Sequence, residues 1–201
     1  MKLNTAEVAD LQPDYLGFIF WEPSKRYFQG MIPPIPHRIK KVGVFVDTEI
    51  EQIVQMVATH DLLLVQLHGQ ESPAFCEALK KRLATVKIIK AFAINEAFEF
   101  GTLQPFEAVC DYFLFDTKGE LPGGNGSLFN WNILKENPST KPYFLSGGIG
   151  LEAIESINEF KQLATSHYCH AIDVNSKFEV EPGLKDIEKL KEFTTRLSFG
   201  H

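Results

Sequence analysis

Seven short apolar runs separated by amphipathic stretches constrain this chain more than any other feature. They are Tyr15–Phe20, Val42–Val46, Leu62–Leu67, Val86–Ala91, Tyr112–Phe115, Tyr143–Leu145 and Ala171–Val174. Each is rich in β-branched or aromatic residues, as strands buried on both faces tend to be. The gaps carry helix signals. Thr48 and Glu51 form a capping-box pattern ahead of an Ile50, Ile53, Val54, Val57 stripe. Ser72-Pro73 supplies an N-cap and a first-turn proline before Phe75, Leu79 and Leu83. Apolar residues also recur at helical spacing over Leu151–Phe160 and Ile187–Leu197. Strands alternating with helices predict a parallel α/β fold.

An open doubly wound sheet and a closed (βα)8 barrel both fit that alternation. Polar and Gly-rich clusters follow five separate strands: Asp47, His68-Gly69, Asp116-Thr117, Ser146-Gly147-Gly148 and Asn175-Ser176. An open sheet concentrates its site at one switch point, so five occupied strand ends favour a ring. A ring of eight needs one more strand, and only Met1-Lys2-Leu3 is left to supply it.

Size and charge narrow the partners. The chain has 201 residues, 44% of them hydrophobic, enough for one core, and no linker-like break interrupts it. A single domain over 1–201 is the simpler expectation. A net charge of -6 argues against a nucleic-acid partner. No apolar stretch nears the roughly 20 residues of a membrane span, and no signal-peptide pattern opens the chain. Cys76, Cys110 and Cys169 are far apart in sequence and form no CxxC pair. No disulfide framework or metal site is expected, and a reduced, cytoplasmic protein is.

Several constellations carry chemistry. Ser146-Gly147-Gly148-Ile149-Gly150 follows a strand and opens a helix, where backbone N–H groups can cradle an anion. Asn175 and Ser176 add donors at the next strand end, and the last two loops of such barrels commonly bind phosphate. Asp116 ends an apolar strand, where a desolvated carboxyl can act as an acid; a lone Asp there more often caps a loop. The stretch after it, through Gly123 and Gly124, has the glycine content of a binding loop or lid. Arg26 could fork onto a carboxylate or phosphate, or belong to a solvated basic loop. His68 is an acid–base candidate, although a lone strand-end His is more often structural. The three cysteines are expected to be inert, and Trp131 to anchor a helix start.

Taken in order, these strings resemble the phosphoribosylanthranilate isomerase family. The chain has LGFIF and SKRYF within 16–28, VGVFV at 42–46 and VQLHGQESPAFC at 65–76. KIIKAF at 87–92, FDTKGELPGGNGSLFNW at 115–131, LSGGIG at 145–150 and DVNSKFEVEPGLKD at 173–186 complete the match. The resemblance implies a single-domain (βα)8 TIM barrel that performs an Amadori rearrangement without a cofactor. N-(5-phosphoribosyl)anthranilate would become 1-(2-carboxyphenylamino)-1-deoxyribulose 5-phosphate, an intramolecular aldose–ketose isomerisation in tryptophan biosynthesis. It implies Asp116 as general acid. Gly147, Gly148, Asn175 and Ser176 would hold the phosphate, while Arg26, His68, Gly123 and Gly124 would contact the rest of the substrate. A monomer or homodimer is implied, with a small phosphoribosyl substrate as partner.

One departure stands out. The family begins with a short strand ending in K-x-C-G, whose cysteine is the general base, and this chain runs from Leu3 directly into the helix-like Asn4–Val8. Either the strand end and loop between Leu3 and Asn4 are missing from the sequence as written, or the molecule is a non-catalytic phosphoribosyl-ligand binder. Other sugar-phosphate barrels fit less well. An epimerase needs metal-binding His and Asp at several strand ends, and a histidine-pathway isomerase needs two phosphate-loop halves.

Overall fold

In the computed structural model, which describes residues 1–117 and 131–197, the seven apolar runs become seven parallel strands paired in sequence order. These are β1 (Tyr15–Ile19), β2 (Lys40–Phe45), β3 (Leu64–Leu67), β4 (Lys87–Ile94), β5 (Tyr112–Thr117), β6 (Tyr143–Ser146) and β7 (Cys169–Ile172). Neighbouring strands with crossovers between them are what a wound parallel barrel requires. The architecture is a curled parallel arc of the (βα)8 class.

Among the described residues five α-helices accompany the strands: α1 (Thr5–Asp10), α2 (Ile50–His60), α3 (Pro73–Arg82), α4 (Ile154–Phe160) and α5 (Ile187–Arg196). Short 3₁₀ segments, Phe100–Phe106 and Trp131–Glu136, stand in the crossovers on either side of β5. α3 starts as expected: Ser72 Oγ accepts from Phe75 N at 3.2 Å with Pro73 in the first turn. α2 does not. Its N-cap is Glu49, which makes no side-chain cap, and Thr48 Oγ1 donates instead to Val46 O at 3.3 Å. Asp47, at φ 47°, turns the chain there, so the hydroxyl meets the strand end it has just left.

Two apolar layers result. A larger one packs outward-facing strand residues such as Phe18, Phe45, Val65, Ile88, Phe113 and Leu145 against Ile53, Leu79, Ile157 and Phe193 of the helices. A smaller one gathers Val42, Leu64, Ile89, Ala91, Leu114 and Phe144. Period-2 alternation along each strand separates the two sets.

The expected eighth strand is absent among the described residues. Met1–Leu3 form no strand. The Met1 α-amine donates to Gly17 O on β1, Leu3 N donates to Gly183 O at 3.0 Å, and the chain then enters α1. Three residues reach only ~10 Å, enough for a ladder bond or two. The outer strands are clasped by side chains instead. At their N-terminal ends Tyr15 Oη lies 2.6 Å from His170 Nε2. At their C-terminal ends Arg26 meets Glu179, which opens a small antiparallel hairpin of β8 (Glu179–Glu181) and β9 (Leu184–Lys185).

β7 also departs from expectation, running over Cys169–Ile172 rather than Ala171–Val174. A register shift between Tyr143 and Phe144 lets β7 enter the ladder two residues early.

Candidate active site

The strand ends put their polar residues at one mouth. Asp116 of β5 pairs in register with Ser146 of β6, and Asp173 N donates to Leu145 O at 2.8 Å just past β7. Asp116, Ser146 and Asp173 therefore form one row across three neighbouring strands. His68, which follows β3, closes on that row with Nε2 3.5 Å from Asp116 Oδ2. Gln66 Nε2, an obligate donor, lies 2.8 Å from His68 Nδ1. Nδ1 must accept, so the neutral imidazole keeps its proton on Nε2, the nitrogen facing Asp116.

The loop carrying His68 is fixed from below by a buried ion pair. Lys90 Nζ of β4 donates to Glu71 Oε2 at 3.1 Å, Gly69 O at 2.9 Å and Leu67 O at 3.3 Å. The Glu71 carboxylate accepts from Asp47 N at 2.9 Å and from Gly69 N at 3.0 Å. Both side chains are almost fully enclosed, with exposures of 4% and 1%, which only a fully hydrogen-bonded pair tolerates. Gly69 is required here: a Cβ would fall 2.3 Å from Asp47 Oδ1 and 2.7 Å from Asp47 N. Glu71 and Lys90 were not singled out from sequence. A charged residue inside the apolar run KIIKAF is the signal that marks Lys90.

The expected phosphate loops lie side by side because β6 and β7 pair. Gly147 and Gly148 have φ of 112° and 62°, so both adopt left-handed backbone that favours glycine. A Cβ on Gly148 would meet nothing within 4 Å, so its surroundings are open to a ligand. Asn175 and Ser176 are exposed at the adjoining loop. Lys185 Nζ binds Asn175 through Oδ1 at 2.6 Å and O at 3.0 Å, which fixes the loop's shape. Lys177 pairs with Glu152 at 3.4 Å just beside it.

Arg26 stands across the mouth with its Nε and Nη2 on Glu179 at 2.6–3.0 Å. Burial pushes the Glu179 carboxyl up, but the Arg26 hydrogen bonds and the Lys185 charge outweigh it and leave it below its usual 4.5. Burial likewise lowers the Lys185 ammonium, and Glu179 only partly restores it. Gly123 and Gly124 lie outside the described residues. The cysteines are all away from the mouth. Cys76 and Cys110 are distant in sequence but neighbours in the core, sharing a thiol hydrogen bond. Cys169 opens β7 at the opposite end, where burial pushes its thiol up to about 12. Trp131 is buried at the start of its 3₁₀ segment, edge-on to Phe160. Among the described residues no group of three or more His, Cys, Asp or Glu could hold a metal, and no helix is long and apolar enough to cross a membrane.

Such a parallel arc, with polar side chains and two glycine- and amide-bearing loops gathered at its C-terminal mouth, is the arrangement of a (βα)8-class enzyme. Comparison narrows the class. The family profile described as N-(5'phosphoribosyl)anthranilate (PRA) isomerase matches residues 2–196. The N-(5'-phosphoribosyl)anthranilate isomerase of Parabacteroides distasonis is 42% identical over 202 residues, covering 96% of this chain and 88% of that protein. The crystal structure of phosphoribosyl anthranilate isomerase from Thermotoga maritima aligns with a TM-score of 0.77 and 26% identity, covering 98% of this chain and 94% of the other. An isomerase structure in complex with reduced 1-(o-carboxyphenylamino)-1-deoxyribulose 5-phosphate aligns at 0.72 and 26% identity, covering 94% and 90%. The chain belongs to the N-(5'-phosphoribosyl)anthranilate isomerase family.

Proposed function

We propose that this chain converts N-(5-phosphoribosyl)anthranilate to 1-(2-carboxyphenylamino)-1-deoxyribulose 5-phosphate by an Amadori rearrangement. The observation that carries the reading is the His68–Asp116 contact at 3.5 Å on the same mouth as the Gly147-Gly148 and Asn175-Ser176 loops. Asp116 gives a proton to the ribose ring oxygen, and the ring opens to a Schiff base. His68, with its Nε2 proton toward Asp116, orients that carboxyl. The phosphate sits against Gly147, Gly148, Asn175 and Ser176, where left-handed glycine backbone presents N–H groups. Gly123 and Gly124, outside the described residues, are assigned to substrate binding on the family resemblance. Glu179 holds Arg26 by Nε and Nη2, which leaves Nη1 to face the anthranilate carboxylate.

The rearrangement exchanges protons and no electrons with its surroundings, so it calls for no cofactor. We further assign a single-domain, cytoplasmic monomer or homodimer. The second reading, a non-catalytic phosphoribosyl binder, is the less favoured, because the isomerase family profile matches residues 2–196. Following the loss of substrate fluorescence on adding this chain separates the two. Steady turnover is expected. Stoichiometric binding without turnover would favour the binder.

A further inference from the structure

Burying two opposite charges strips water from both, and an apolar pair of similar volume often gives an equally stable fold. Lys90 and Glu71 are such a pair, and the ends of their hydrogen bonds show what the charges add. Lys90 stands opposite Leu67 in the β3–β4 register, on the outer face that it shares with Ile88 and Phe92. That face meets the helices rather than the mouth, so Lys90 does not touch substrate. Its ammonium donates to Leu67 O at 3.3 Å and to Gly69 O at 2.9 Å, the carbonyls on either side of His68. Its other bonds go to Glu71 Oε2 at 3.1 Å and to Ala91 O at 3.2 Å in its own strand. Glu71 takes Gly69 N at 3.0 Å and, from the loop after β2, Asp47 N at 2.9 Å. His68 N itself donates to Phe45 O at 2.8 Å. The backbone is therefore held from the residue before His68 to the residue after it.

The residue held so closely is not part of the core. His68 is exposed, and its Nε2 lies 3.5 Å from Asp116 Oδ2. That distance is the outer limit of a hydrogen bond, so a displacement of about 0.5 Å breaks it. An apolar pair at 71 and 90 fills the same space but leaves Leu67 O, Gly69 O, Gly69 N and Asp47 N without these partners. What the two charges add to an apolar filling is a fixed backbone under an exposed imidazole.

Resting on the isomerase reading above, we propose that Lys90 and Glu71 are positioning residues for the reaction. They form a buried platform that acts through the backbone of His68 and keeps its Nε2–H aimed at the Asp116 carboxyl. When Asp116 gives its proton to the ring oxygen and the C1–O bond breaks, a carboxylate is left behind. A charge-assisted bond from His68 Nε2–H stabilises that carboxylate. The bond is stronger once Asp116 is ionised than in the bound ground state, so it favours the transition state over the substrate complex. Loss of the platform therefore falls on kcat rather than on affinity.

The test is a cycle between Glu71→Gln and His68→Asn, read by kcat, by affinity for the reduced product analogue and by urea denaturation. The amide at 71 keeps an acceptor for the backbone N–H groups and removes the charge opposite Lys90. Alone, Glu71→Gln is expected to lower kcat at least about 10-fold while moving analogue affinity less than about 3-fold. In the His68→Asn background the same change should lower kcat by less than about 2-fold, because the residue it acts through is gone. The shift in urea midpoint should be equal in both backgrounds, which separates positioning from stability. The His68 ring 15N resonances should also move in Glu71→Gln. If Glu71→Gln does not fold, Glu71→Asp, which keeps the charge but draws it back by one methylene, carries the same cycle. An equal fall in kcat in both backgrounds, an unchanged kcat in the single variant, or unmoved His68 resonances overturns the assignment and leaves the isomerase reading standing. No turnover in wild type overturns both.

Discussion

The β3–β6 side of the mouth and the β1/β7 side are held by different means. On the first side paired backbone continues from strand to strand, and the buried Lys90–Glu71 pair ties the Asp47 and Gly69 loops beneath His68. On the second, no strand lies between β1 and β7 among the described residues, and Tyr15–His170 and Arg26–Glu179–Lys185 do the joining. Backbone ladders resist opening cooperatively, whereas the second side depends on one exposed contact, Tyr15–His170, and one largely buried ion cluster. His68 and Asp116 therefore rest on the laddered side, and Arg26 on the side joined by side chains.

The difference can be broken at both ends. Lys90→Met should destabilise the fold by about 3–5 kcal/mol, because it leaves the Glu71 carboxylate buried and unpaired. Urea denaturation reads this directly, and a loss under about 1 kcal/mol would remove the platform from the account. Glu179→Gln should cost less, about 1–3 kcal/mol, since Arg26 and Lys185 lose one shared partner but Arg26 remains partly in solvent. Its pH signature is the sharper test. The folded Glu179 carboxyl lies below its usual 4.5, so its stabilisation is present above that pH and lost as pH falls through the lowered folded value. Wild type should lose stability over that acid window more steeply than Glu179→Gln; parallel curves would detach the clasp from Glu179. Smallest is Ser72→Ala, which removes the α3 cap and should cost about 1 kcal/mol with turnover unaffected.

Much of this was legible in the sequence for a physical reason. Strands buried on both faces must be continuous apolar runs, so all seven were visible, although β7 sits two residues earlier because the sheet shifts register at Tyr143. Strand-end positions were enough to put Asp116, His68 and the Gly147-Gly148 and Asn175-Ser176 loops at one mouth. What stayed hidden depends on which side chains meet. The Arg26–Glu179 pair spans 153 residues, and nothing local in Glu179-Val180-Glu181 marks it. The Cys76–Cys110 contact is hidden in the same way. The Thr48 capping box failed because a capping pattern takes no account of the left-handed turn at Asp47.

In the proposed reaction this mouth performs acid–base isomerisation, with Asp116 giving the first proton. The most direct measurement is kcat/KM for phosphoribosylanthranilate in wild type and Asp116→Asn, with affinity for the reduced product analogue measured alongside. A fall of at least about 100-fold is expected, with analogue affinity nearly unchanged. A variant within about 3-fold of wild type would contradict it.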